Sequence, residues 1–214
     1  MLTPLKCIPC SKIENMPLSH DWSDWDPYQV LGTQNPETEA TLSDISDRAI
    51  LGYSIACAEW VVCRFKKHLN DQRPYQYIQA CWIYEMSDEV AAPPQSKQEE
   101  WEGPVRGPVD LSLMTVLNTI YSMDDGAAWA DGAFAELIPL LVVTPCELFL
   151  QWRFGVFKRL KERYPRSDGE FGKPVPREIF DLSQALVPEQ ELHLVKAFLS
   201  KALAAQNPFV RIVK

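Results

Sequence analysis

Hydrophobic positions along the chain fall into blocks. The densest block is AILGYSIACAEWVVC, from Ala49 to Cys63, which holds one charge, Glu59, and no Pro. Such a run is too long for an ordinary strand and too short to span a bilayer. Its spacing predicts the middle of a helix over about residues 42–69. Leu42, Ile45, Ala49, Tyr53, Ala56, Trp60 and Cys63 follow the three-or-four step of one helical face. Leu51, Ile55, Val62, Phe65 and Leu69 form a second apolar line. The polar stripe left over is narrow: Asp44, Arg48, Gly52, Glu59 and Lys66. Other helices are therefore expected to cover this one on most sides. Ser43 stands where an N-cap is preferred, and Lys66, Lys67 and His68 stand in the last turn, where cations suit the dipole.

The same reading predicts a helix over residues 74–87, with Tyr77, Ile78, Cys81, Trp82 and Met86 on its apolar side. Residues 88–109, rich in Pro and Glu, read as a long loop. Further helices are expected over residues 108–123, 127–143 (stopped or kinked near Pro139), 145–164, 177–185 and 188–205. In the 145–164 helix Thr144 fits the N-cap and Pro145 the first position. In the last helix Leu192, Val195, Leu199 and Leu203 are expected to face inward. Pro4, Pro9, Pro17, Pro27 and Pro36 break up residues 1–41, which read as mostly irregular. The expected fold is an all-α domain over residues 1–214: a compact bundle of six to seven helices behind an irregular N-terminal segment.

Charge changes the picture more than length does. Net charge is −8, unevenly divided. Residues 1–150 hold 9 Lys and Arg against 22 Asp and Glu, a net −13, and residues 151–214 hold 12 against 7, a net +5. An acidic body disfavours nucleic acid and anionic membranes and favours a basic partner. No secretory signal is evident and no apolar stretch is long enough to span a membrane, so the expected location is cytoplasmic. The six Cys are then expected as thiols.

Most catalytic signatures fail on inspection. Cys7-Ile8-Pro9-Cys10 lacks both the strand and helix of a redox motif and the two further ligands of a zinc site. His20, His68 and His193 fit no metal-binding frame, and there is no Gly-x-Ser-x-Gly elbow. Asp124-Asp125-Gly126 lacks the alternating ligands of a calcium loop, and Gly169 to Lys173 lacks the spacer of a phosphate loop. No cofactor is expected. Arg153, Lys158, Arg159, Lys161, Arg163 and Arg166 gather beside Trp152, Phe154, Phe157 and Tyr164. That pattern is either a solvated or internally paired helix face, or a surface for a nucleic-acid backbone.

Two segments combine carboxylates with aromatic side chains. One is HDWSDWDPY over residues 20–28, and the other holds Glu99, Glu100, Trp101 and Glu102. Aromatic groups anchor protein interfaces and carboxylates steer a basic partner. The leading expectation is a non-enzymatic, cytoplasmic binding protein. Its best-fitting form is an acidic immunity or antitoxin-type inhibitor that neutralises a basic toxin through Asp21, Trp22, Asp24, Trp25, Asp26, Glu99, Glu100, Trp101 and Glu102. In the bland reading residues 20–28 plug into the body of the protein. Two rival readings remain: an all-α enzyme using paired carboxylates among Glu59, Asp124, Asp125 and Glu147 on a small substrate, and a regulator or adaptor that touches nucleic acid through residues 152–166.

Overall fold

The computed structural model describes residues 2–95, 102–167 and 170–213. Among these residues the chain is all-α, apart from one two-residue strand pair. Its helices are α1 (Cys10–Ile13), α2 (Pro36–Ser43), α3 (Asp47–Arg64), α4 (Arg73–Met86), α5 (Gly103–Ser122), α6 (Ala128–Ala135), α7 (Leu137–Val142), α8 (Glu147–Arg163) and α9 (Glu191–Leu203). This is more, shorter pieces than the six or seven expected. No described helix is long and apolar enough to cross a membrane.

Helix α3 is the axis. It packs against α4, α5, α6 and α7, and every residue from Ala49 to Arg64 is buried. The polar stripe read from the sequence reaches water only at its ends, Asp44 and Lys66, and is sealed at its middle, Gly52 and Glu59. At Gly52 a Cβ would come within 2.6 Å of the Phe180 ring, so only glycine lets that ring close on the helix. At Glu59 the carboxylate is buried and fully engaged. It accepts from Trp82 Nε1 at 2.7 Å, from the Leu5 backbone N–H at 3.2 Å and from Arg177 Nε at 2.8 Å.

The long helix expected from residue 42 is broken at residues 44–46, for a reason far away in sequence. The chain leaving α8 pairs there. Ser46 N–H donates to the Tyr164 carbonyl, Arg166 N–H to the Asp44 carbonyl, and Ile45 bridges Pro165. Ser46, not Ser43, becomes the extended N-cap residue of α3. Similarly, α6 and α7 part at Glu136 rather than at Pro139. Glu136 is buried and receives Tyr53 Oη, Thr38 Oγ1 and Arg153. Pro139 falls in the first turn of α7, where a missing N–H costs little. Thr144-Pro145 is a cis peptide, and α8 begins beyond it at Glu147, so Pro145 is not its first residue.

Other boundaries move too. Residues 177–185 give only a short 3₁₀ turn, Arg177–Phe180. Residues 36–41, expected as irregular, belong to α2, which Asn35 caps by accepting from Glu37 N–H at 2.9 Å. In α9 only Val195 of the four expected core residues is fully buried. Leu192 is 64% exposed and Leu203 is also exposed. Glu191 sets that rotation, because its carboxylate is drawn inward by Arg163, Tyr164 Oη and Lys173. Strands β1 (Val90–Ala91) and β2 (Arg211–Ile212) pair antiparallel and tie the C-terminal segment to the chain that follows α4.

The thiol expectation is corrected at two positions. Cys10 and Cys63 form a disulfide that fastens α1 to the last turn of α3. Disulfides persist in oxidising surroundings, so the pairing runs against an all-thiol chain in a reducing cytosol. Cys7, Cys57, Cys81 and Cys146 are free. Cys7 leans on the Phe180 carbonyl, and burial pushes its thiol up to about 12, so it is a poor nucleophile.

Candidate acidic and aromatic interaction site

The segment of residues 20–28 is neither wholly a plug nor wholly a free loop. Its first half is docked on the start of α5, and the docking begins with a helix defect. Pro108 lies inside α5, not at its start as the sequence pattern implied. A proline has no N–H to give to the carbonyl four residues back. That carbonyl belongs to Pro104, and His20 takes it, with Nε2 at 2.9 Å. A carbonyl only accepts, so Nε2 carries the proton in this contact. Burial lowers the pKa of His20 and favours the neutral ring. The ring also stands edge-on to Phe65, with centroids 5.8 Å apart.

Two more contacts extend the seam. The Trp22 indole lies flush on Gly107, where a Cβ would meet the ring at 2.2 Å. Asp24 Oδ1 accepts from Gly103 N–H at 2.7 Å, satisfying an otherwise orphaned donor at the helix start. Upstream, buried Arg64 donates to the Pro17 carbonyl at 2.8 Å and holds the approach to the loop. Downstream, Ser23 Oγ accepts from Asp26 N–H, and Asp26 Oδ1 accepts from Tyr28 and Gln29 N–H, which closes a tight turn.

Trp25 stands at the tip of this fixed loop, 97% exposed. Asp24 and Asp26, its neighbours in sequence, are exposed, as is Asp21, and Tyr28 is exposed with its ring tilted against Phe134. The structure therefore separates residues that the sequence grouped. Trp22 is a plug, Asp24 and Asp26 are loop-forming acceptors as well as charges, and Trp25 with Asp21 faces solvent. Glu102 is exposed at the start of α5, whereas Glu99, Glu100 and Trp101 lie outside the described residues. Gly107→Ala tests the seam. It is expected to unseat Trp22 at a cost of roughly 1–3 kcal/mol, with a red shift in tryptophan emission. An unshifted spectrum and an unchanged urea midpoint would show that Trp22 is not seated there.

The basic helix is largely consumed internally. Arg153 pairs with Glu136 and Arg163 with Glu191, each within hydrogen-bond reach, and Arg166 pairs with Asp47. Arg159 donates to the carbonyls of Glu178, Ile179, Asp181 and Gln184. Trp152 and Tyr164 are buried, leaving Phe154, 76% exposed, as the outward ring of the group. The carboxylates named for catalysis are dispersed: Glu59 is sealed in the core, Asp124 lines a cavity with Asp47 and Arg166, and Asp125 and Glu147 are exposed. Among the described residues no group of three His, Cys, Asp or Glu could hold a metal ion.

Two features escaped the sequence reading. His20 had no visible role, because its partner is defined only once Pro108 is known to be inside a helix. Glu85 lies outside the apolar side read for the 74–87 helix, yet it is buried. Comparison with protein families, curated proteins and solved structures returns no match, so the site rests on its geometry alone.

Proposed function

We propose that the protein is a binding protein whose contact face is the loop of residues 20–28, with Trp25 as its anchor. The observation that carries this reading is a fully exposed Trp on a loop fixed by His20, Trp22, Asp24 and Asp26. An indole held in water by an ordered loop spends little conformational freedom on association, and Trp is prominent among interface hot spots. Asp21, Asp24 and Asp26 around it favour a basic partner. In the finer form of this proposal the partner is a basic toxin that the protein blocks by direct contact, as an immunity or antitoxin-type inhibitor does. Glu99, Glu100, Trp101 and Glu102 belong to the same proposal as a second acidic and aromatic element.

Charge steering supplies the test. With a captured partner, association is expected to slow steeply as ionic strength rises, with a smaller change in dissociation. Replacing Asp21, Asp24 and Asp26 together by Asn keeps an acceptor oxygen at each position, so the loop holds its shape while three charges go. That variant is expected to associate more slowly and with a flatter salt dependence. Unchanged kinetics in a folded triple variant would remove the loop from the interface.

A further inference from the structure

Where the start of α3, the end of α4 and the segment of residues 170–175 meet, a cleft of about 230 Å³ opens. Arg48, Tyr84, Glu85, Ser87, Asp88 and Phe171 contribute to its lining. The Arg48 side chain is 12% exposed and rigidly placed, since its guanidinium donates to the Glu85 main-chain carbonyl at 2.6 Å. Its other arm holds the carboxylate of Asp88, a side chain that is 85% exposed.

Glu85 is the unusual member. It is 1% exposed, and one carboxyl oxygen accepts from Val175 N–H at 2.8 Å. The other oxygen has no hydrogen-bond partner among the described residues. Buried polar atoms without partners are rare and call for a reason. Burial raises the pKa of this carboxyl well above the usual carboxylate range, which favours the neutral acid. A neutral Glu85 does not repel an anion seated beside it.

We propose that this cleft binds a small organic carboxylate, held on the Arg48 guanidinium in the place that Asp88 now takes, with its apolar body against Tyr84 and Phe171. A guanidinium N–H makes a strong charge-assisted hydrogen bond to a carboxylate oxygen, and the arm of Arg48 not engaged by the Glu85 carbonyl already seats one carboxylate there. An ion pair whose acidic partner lies in solvent is weak, so Asp88 gives way readily. The cleft is below the usual size of drug-like pockets, which selects a small ligand. Arg48 and Asp88 are separate from the loop of residues 20–28, so this site stands or falls independently of the partner proposal.

Calorimetric titration tests it with acetate, hexanoate and phenylacetate as probes, and with hexanamide and phenylacetamide as their uncharged counterparts. Saturable binding of at least one carboxylate is expected, with its amide about tenfold weaker or more. Asp88→Asn removes the internal competitor at an exposed position and is expected to tighten that binding by about threefold. Arg48→Gln is expected to abolish it, with circular dichroism reporting the fold. The proposal is overturned if wild type and Asp88→Asn both fail to bind any of the three carboxylates at concentrations on the order of 10 mM. It is also overturned if the amides bind as well as the acids, or if Asp88→Asn leaves the affinity unchanged.

Discussion

Glu59→Ala is expected to destabilise the protein by roughly 3–5 kcal/mol, the range seen when one partner of a buried ion pair is removed. The reason is what the carboxylate leaves behind. Arg177 is mostly buried and loses its carboxylate partner, Trp82 Nε1–H loses its acceptor, and so does Leu5 N–H. Each orphaned group loses water on folding without gaining a protein partner. Arg177 also donates to the Thr3 carbonyl at 2.6 Å, so the N-terminal residues loosen with it. Urea unfolding measures the loss. A shift below about 1 kcal/mol would place Glu59 among surface ion pairs.

Trp60→Ala is the second large effect, again roughly 3–5 kcal/mol, by a different route. Trp60 is buried in α3, stands perpendicular to Phe149 at 5.6 Å and tilts against Trp152 at 5.8 Å. Its indole N–H has no partner among the described residues, so its removal strands no acceptor. The loss is therefore volume and aromatic contact. Trp60→Phe is expected to recover most of it, because a ring remains for Phe149 and Trp152 and the unbonded N–H disappears. Equal losses in the Ala and Phe variants would mean that the indole nitrogen, not packing, sets the cost.

The sequence made the covering of α3 legible because two apolar lines on one helix leave no wide polar face. It placed α4 within one residue at each end, from one apolar side carried by Tyr77, Ile78, Cys81, Trp82 and Met86. It could not show the break at residues 44–46, since that break is made by the chain around Tyr164 pairing across the fold. It could not show that α5 begins before Pro108, since His20 supplies the hydrogen bond that makes this proline tolerable. Trp22 and Trp25 have almost the same neighbours in sequence, Asp on both flanks or one. Only Gly107, whose missing side chain makes room for one indole, separates the plug from the tip. Charge was legible as a total but not as a surface. Arg153, Arg166 and Arg177 from the basic end pair with Glu136, Asp47 and Glu59 from the acidic body, so part of the −13 read over residues 1–150 is neutralised within the fold.

Trp25 is where the binding account is most exposed to test. The direct measurement compares wild type, Trp25→Ala and Trp22→Ala for dissociation rate from a captured protein partner and for urea midpoint. Trp25→Ala is expected to keep the wild-type midpoint and to dissociate faster, by the roughly 2 kcal/mol or more typical of a lost aromatic anchor. Trp22→Ala is expected to lower the midpoint first. A Trp25→Ala protein that holds its partner as long as wild type does, with the same midpoint, would contradict the account.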